Sequence, residues 1–366
     1  MKITYVANIR MPTEKAHGIQ IMKMCEAFSA AGVQMELIVP RRLNEIHDDP
    51  FEYYSVSKSF KIRKLPVLDL VSFGRAGFIV ESISFSIAAL FVCRKADAIY
   101  SRDEIPLWLL SLFRREKVFW EAHMGQKNFI ARSLLKRMAG LVAISSGLRE
   151  FYVRLGVPSE KTIISHDGVD LKDFEKDFSK DESRRALGLP TDKKIAMYIG
   201  LLDEWKGYTT FLRAAKIISP TVATVIGGGR QEVERLRKIH PDVIFIGYRK
   251  YSELPANQKA ADVLVIPNSG KYQISRYFTS PLKVFAHMAS GVPVVASDLP
   301  SIREVLSDET ATFFAPDDPE SLAGAIGLAL NNPAASEKAW KAALEVKKYT
   351  WRKRAENIIK FISSNV

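Results

Sequence analysis

Residues 280–304, SPLKVFAHMASGVPVVASDLPSIRE, decide how the chain is read. Ser280 reads as a helix N-cap, because its hydroxyl can accept from a free backbone N–H, and Pro281 suits the first helical position. Leu282 to Ala289 continues as a short, mostly apolar helix. Gly291 stands where a left-handed residue ends one. Val292 to Ser297 is a β-branched strand, and Leu299 to Glu304 opens the next element. The Ser-Pro corner presents backbone N–H groups and the positive end of the helix dipole, which suits a phosphate. An ordinary capped core helix is spelled the same way, so both readings stand on these residues.

Working outward, strands alternate with helical patterns, as in parallel α/β units. The second half runs through Ile195–Gly200, Thr221–Ile226, Val243–Ile246, Val263–Pro267 and Val292–Ser297. The first half opens on strand Ile3–Ala7, loop Asn8–Gly18, helix Ile19–Ala31 and strand Met35–Val39, a doubly wound start. Strands Ala98–Ser101, Lys117–Trp120, Gly140–Ser145 and Ile163–Ser165 follow. Leu171–Lys194, rich in charge and poor in aliphatics, reads as the linker. The expected domains are 1–172 with a C-terminal helix at 350–366, and 173–349.

The chain has 366 residues, 47% hydrophobic and 26% charged, with a net charge of +12. This is enough apolar material for two cores, and the charge points to an anionic partner. Cys25 and Cys93 are too few and too far apart for a disulfide framework or a zinc site, which suggests a reducing cytoplasm. The N-terminus MKITYVANIR does not read as a signal peptide. Phe78–Cys93 is the most apolar stretch and reads as a buried helix. Lys58–Arg75 mixes basic and apolar residues and reads as a solvated face. Asn128–Met138 reads as a basic amphipathic helix, surface packed or lipid facing, and Thr350–Ile362 as a second amphipathic basic helix.

The chemistry is sparse. Lys206, before Gly207, is a candidate for stabilising charge on a departing diphosphate. Gly227-Gly228-Gly229 follows a strand and precedes a helix, a low-specificity phosphate cradle that lacks the dinucleotide fingerprint. Arg102-Asp103-Glu104 and Glu121-Ala122-His123 stand at the tips of parallel strands, where a charged or imidazole residue is well placed for chemistry, and for His123 plain structural hydrogen bonding is equally open. No Asp-x-Asp clamp, P-loop, nucleophile elbow, metal-ligand cluster or nucleic-acid motif occurs.

Taken together, YIGLLDEWKG, VIGGGR, ADVLVIPN, SPLKVFAHMASGVPVVASDLPSIREVL and TWRKRAENII resemble the retaining GT-B glycosyltransferases of family 4. IRMPTEKAHGIQIMKMCEAF, DAIYSRD, WEAH and HDGVD fit in order, so the resemblance covers nearly the whole chain. It implies two Rossmann-like doubly wound parallel-sheet domains facing a cleft, with a last helix crossing back to the first. It also implies transfer of a hexose-type sugar from a nucleotide-diphosphate donor to a glycan or lipid-linked acceptor. The departing phosphate acts as base, with no metal and no cofactor beyond that co-substrate. By the same resemblance Gly18 lies near the donor phosphates and His123 near the reacting sugar. Lys206 faces the diphosphate, Ser280, Pro281 and Leu282 bring the helix N-terminus to it, and Tyr248 and Arg249 border the base. The expected place is the cytoplasm, peripheral at an anionic membrane surface, with no nucleic-acid partner.

The sequence departs from the family pattern in three places. The two usual glutamates are Phe278 and Ala286, and the second normally holds the ribose hydroxyls. The usual Arg before Lys206 is Leu201. Each lost charge-assisted hydrogen bond costs about 1.5–3 kcal/mol, roughly ten- to a hundredfold in affinity or rate. The alternative is therefore a catalytically impaired or silent homologue that serves as a binding protein.

Overall fold

The computed structural model describes residues 1–366 and divides into two compact units. The first comprises Met1–His166 with Trp351–Val366, the second Asp167–Thr350. The division falls before the charged stretch read as a linker. The reason is local: Val169 is buried in the second unit's core and bridges to Thr350. The stretch itself is structured. Helix Lys180–Ala186 buries Arg184, which donates to the carbonyls of Ala260, Thr191 and Lys193 and to Asp262 at 2.6 Å.

The first unit holds a seven-stranded sheet. Its strands are β1 (Lys2–Val6), β2 (Gln34–Pro40), β3 (Lys61–Leu65), β4 (Ala98–Ser101), β5 (Lys117–Ala122), β6 (Gly140–Ala143) and β7 (Thr162–Ile164). The order is β3-β2-β1-β4-β5-β6-β7, all parallel. Sheets covered on both faces are built from near-continuous apolar runs, and Ile3, Tyr5, Val6, Leu37, Ile38, Phe119 and Leu141 are fully enclosed. β3 gives the segment read as a solvated face its structure, with Lys61, Arg63 and Lys64 exposed. It is an edge strand whose charges sit where an unpaired edge needs them, with Arg63 2.9 Å from Glu36 of β2.

The second unit holds six parallel strands: β8 (Ile195–Ile199), β9 (Val222–Ile226), β10 (Val243–Gly247), β11 (Val263–Ile266), β12 (Val294–Ser297) and β13 (Thr312–Phe314). Their order is β10-β9-β8-β11-β12-β13. The winding direction reverses between β1 and β4 in one unit and between β8 and β11 in the other. At such switch points the loops at the strands' carboxyl ends diverge and leave room for a ligand.

One helix departs from expectation and another follows it. The apolar helix Gly74–Val92 is embedded on one side only. Glu81, Ser82, Phe85, Ser86 and Ala89 face inward, while Phe78, Ile79, Val80, Ile83, Ile87 and Phe91 are exposed. Its inward face carries the polar groups, so its apolar character is not explained by the core. The closing helix Trp351–Ser363 belongs to the first unit, as expected. It packs on helix Ala16–Ala30, with Trp351, Ala355, Ile358 and Ile362 buried, which removes its apolar side from any lipid-facing role. Phe361 stacks edge-on against Phe119 at 6.0 Å, and a Cβ on Gly140 would lie 2.6 Å from its ring.

Candidate functional site

In the second unit the loops leaving the sheet are locked in a row. Gly200 N–H donates to Ile226 O at 2.9 Å and Gly227 N–H to Gly247 O at 2.8 Å, so the ladder continues past the strands. Gly227 takes φ +125°, and a Cβ there would lie 2.0 Å from Gly200 O; this part of the triple-glycine segment is a backbone crossing. Gly207 ends the turn Glu204–Lys206 at φ +70°, where a Cβ would lie 1.7 Å from Pro267 O. Ser269 N–H donates to Trp205 O at 3.0 Å. The loops after β8 and β11 thus close on each other at the switch point and deliver Lys206 there. Its ammonium is 3.1 Å from Asp203 and 5.1 Å from the centre of the Trp205 ring.

Helix Leu282–Ser290 starts one residue later than expected. Pro281 is the cap residue, with φ −70° and ψ 124°, and no side chain caps the N-terminus. Ser280 is not the cap, because its hydroxyl accepts from Asp167 N–H at 3.0 Å. The first N–H groups of the helix, at Leu282 and Lys283, are left without a side-chain acceptor, a ready anion site. Ala286 is buried and offers only a methyl. His287 beside it is fully buried and turned to Gln258, whose amide donates to Nδ1 at 3.2 Å. Burial and the nearby Lys283 push the imidazole down to about 3, so it is neutral. Tyr248 and Arg249 follow β10 beside the Gly227 crossing, Tyr248 exposed and Arg249 3.8 Å from Glu253. Leu201 accepts the Tyr198 hydroxyl on its carbonyl at 2.6 Å. Phe278 ends a widened helical turn, Ile274–Phe278, just before Ser280.

In the first unit the structure gathers a charged cluster around Glu121, the penultimate residue of β5 and wholly buried. It accepts from Gln20 Nε2 at 2.6 Å, from the Tyr100 hydroxyl and from His123 Nε2, and Arg354 of the closing helix lies 3.3 Å away. Arg102, after β4, holds Gln20 at 3.0 Å. Burial alone would raise the Glu121 pKa. Arg354, His123 and Tyr100 overcome that and hold the carboxyl well below its ordinary range. His123 is lowered to about 4, first by burial and then by Arg102, against the pull of Glu121. It is therefore a neutral imidazole whose Nε2–H donates to Glu121. That leaves Nδ1 with a lone pair, an acceptor for a hydroxyl.

Gly18 lies on the first turn of helix Ala16–Ala30. A side chain makes a close approach there: a Cβ would lie 2.1 Å from the Tyr54 hydroxyl, which bridges the N–H and C=O of Thr13. Next to these groups Arg42 forms a bidentate pair with buried Glu81 and reaches Asn8 at 2.6 Å. Asn8 N–H donates to Asp103 at 2.6 Å and its amide to Ser82 at 2.8 Å. This ties the exposed apolar helix to the loops after β1, β2 and β4.

Sequence reasoning placed Arg102 and Glu121 at strand tips suited to chemistry but passed over Gln20, Tyr100 and Arg354, which hold them. One signal was available for Arg354. It falls three residues after Trp351 and four before Ile358, on the buried stripe of its helix, where an arginine needs a partner. The others meet only because β1, β4 and β5 are neighbours.

Residues 193–332, most of the second unit, match the family described as Glycosyl transferases group 1. The chain is 28% identical over 253 residues to the lipopolysaccharide core biosynthesis mannosyltransferase LpsB of Rhizobium meliloti. That match covers 64% of this chain and 68% of the relative. It is 27% identical over 245 residues to the phosphatidyl-myo-inositol mannosyltransferase of Mycobacterium tuberculosis, covering 63% of this chain and 61% of that one. Among solved structures, Anabaena HepE in complex with UDP and glucose superposes with a TM-score of 0.78 at 16% identity over the whole of both chains. The fold is GT-B, with two parallel-sheet α/β domains.

Proposed function

We propose that this protein is a retaining, metal-independent glycosyltransferase. It moves a hexose from a nucleotide-diphosphate sugar to a glycan or lipid-linked acceptor during glycoconjugate synthesis. The observation that carries the reading is the uncapped helix N-terminus at Leu282 together with Lys206, at the switch point of the unit matching the group 1 family. The relatives named above are mannosyltransferases, and HepE was solved with UDP. Amide N–H groups and an ammonium there meet the donor's diphosphate charge, and they stabilise it further as the glycosidic bond to phosphate breaks. On the first unit, the His123 lone pair accepts from a sugar hydroxyl. Glu121, enclosed and held by four partners, serves to orient His123 and Arg354 and has no route to a sugar carbon. The departing phosphate then takes the acceptor proton on the same face.

We place the protein at the cytoplasmic side of a membrane. The exposed stripe of Ile79, Ile83, Ile87 and Phe91, with Arg75, Arg94 and Lys95 at the two ends of that helix, has the composition of a surface that rests on anionic lipid. Cys25 and Cys93 are both buried and unpaired. The test is calorimetric titration with UDP-, GDP-, ADP- and dTDP-sugars, with and without EDTA, followed by turnover against lipid-linked glycans. Binding of one nucleotide unaffected by EDTA is the expected result, and binding of none defeats the proposal. A second reading, a silent binding protein, is favoured by the buried methyl at Ala286, which has no group for ribose hydroxyls. Binding without turnover would select it.

A further inference from the structure

Lys283, the second residue of helix Leu282–Ser290, does the reverse of what lysines ordinarily do. Long charged side chains bury their methylenes and send the head group to water. Here the residue as a whole is only half-buried, while Nζ is shut from solvent and has no hydrogen-bond acceptor. It lies 4.6 Å from the centre of the Tyr198 ring. Tyr198 in turn closes on the Leu201 carbonyl, so the ammonium sits beside the root of the loop that carries Lys206. The titratable groups that bear on it are Lys206 from that loop and His287 one turn along its own helix, with the Tyr198 ring from β8. It forms no ion pair with a carboxylate. A second buried group nearby is also unpartnered: Asn268, two residues past β11, has neither side-chain polar atom hydrogen-bonded. Buried amides and amines without hydrogen-bond partners are costly, and Lys283 and Asn268 both stand on elements that meet at this switch point.

We propose that Lys283 is the second binding cation for the donor diphosphate, acting with Lys206 at the open helix N-terminus where Leu201 cannot supply a positive charge. This rests on the glycosyltransferase reading and adds to it a residue and a coupling. Burial and Lys206 hold Lys283 well below its ordinary pKa. A diphosphate arriving beside it favours the charged form, so binding draws a proton onto Nζ. A lysine kept only for packing against Tyr198 has no such coupling.

The experiment is calorimetric titration of the full-length protein with UDP, GDP and ADP, and with the matching monophosphates. It is run in two mildly alkaline buffers of different ionisation enthalpy, on wild type, Lys283→Met and Lys283→Arg. Thermal melts accompany each variant. Lys283→Met is expected to weaken the preferred diphosphate at least tenfold and the monophosphate less, and to abolish the proton uptake. Its melting temperature should hold or rise, because a buried amine without a hydrogen-bond partner has gone. Lys283→Arg is expected to retain part of the affinity without proton uptake, since a guanidinium is already charged. Unchanged diphosphate affinity in Lys283→Met, no uptake in wild type, or a lowered melting temperature with affinity intact would each overturn the inference alone. If wild type binds no nucleotide, the function proposed above falls and this falls with it.

Discussion

Arg354→Met is the perturbation that best tests the physical account of the first unit. Glu121 is fully buried and Arg354 nearly so, 3.3 Å apart. Removing one partner of a buried pair costs about 3–5 kcal/mol, because the other charge stays enclosed without compensation. Gln20, Tyr100 and His123 still donate to Glu121, so the loss belongs at the lower end, about 3 kcal/mol or roughly a hundredfold in the opening equilibrium. Because two units share the chain, a single unfolding transition would blur the effect. Native-state hydrogen exchange resolves it. Protection should fall in Lys117–Ala122 and Trp351–Ser363, and stay unchanged in Ile195–Ile199 and Val294–Ser297. The pH dependence has a definite sign. The folded Glu121 carboxyl is held below its ordinary 4.5, so its stabilisation is present above that value and is lost as pH falls below it. The gap between wild type and variant should therefore narrow in acid. Equal loss of protection in both units, or a gap that widens in acid, would refute the reasoning.

Gly207→Ala forces a side chain into a left-handed position, at about 1–2 kcal/mol, and drives its Cβ against the Pro267 carbonyl. The second unit should melt lower and nucleotide binding should be lost, as read by thermal scanning with calorimetry. Ala286→Glu restores a carboxylate for ribose hydroxyls and should tighten the nucleotide by about 1.5–3 kcal/mol; equal affinity would show that residue 286 does not reach the ribose. Ile83→Glu with Ile87→Glu, each residue 47% exposed, should leave the melting temperature within about 1 °C. The same pair should abolish sedimentation with anionic vesicles at low salt, and retained sedimentation would move the contact elsewhere.

The repeating strand and helix periods, the Gly at each sharp turn and the 280–304 segment made a doubly wound α/β architecture legible from the residues. They did so because parallel strands and their covering helices are local patterns, each set by hydrophobic period and turn chemistry. Lys206 and the 280–282 corner were legible for the same reason: a lysine before a glycine after a strand, and a proline opening a helix, announce themselves within a few residues.

What escaped was decided between residues far apart. Ser280 looks like a cap, yet the helix starts one residue later and its hydroxyl accepts from Asp167 N–H instead. Phe78–Cys93 looks like a core helix on hydropathy, yet its polar residues turn inward to Arg42 and Asn8, and its apolar stripe faces out. Nothing along the chain marks Lys283; the fold places the Tyr198 ring beside its Nζ. The sequence by itself determined two sheets, their helices and the position of a phosphate-facing corner, because those follow from periodicity and backbone preference along the chain. The partners of Glu121 and Lys283, and which face of the apolar helix meets solvent, were settled only by tertiary structure. Burial decides whether a charge is compensated, and burial is a property of what packs around a residue once distant strands have become neighbours.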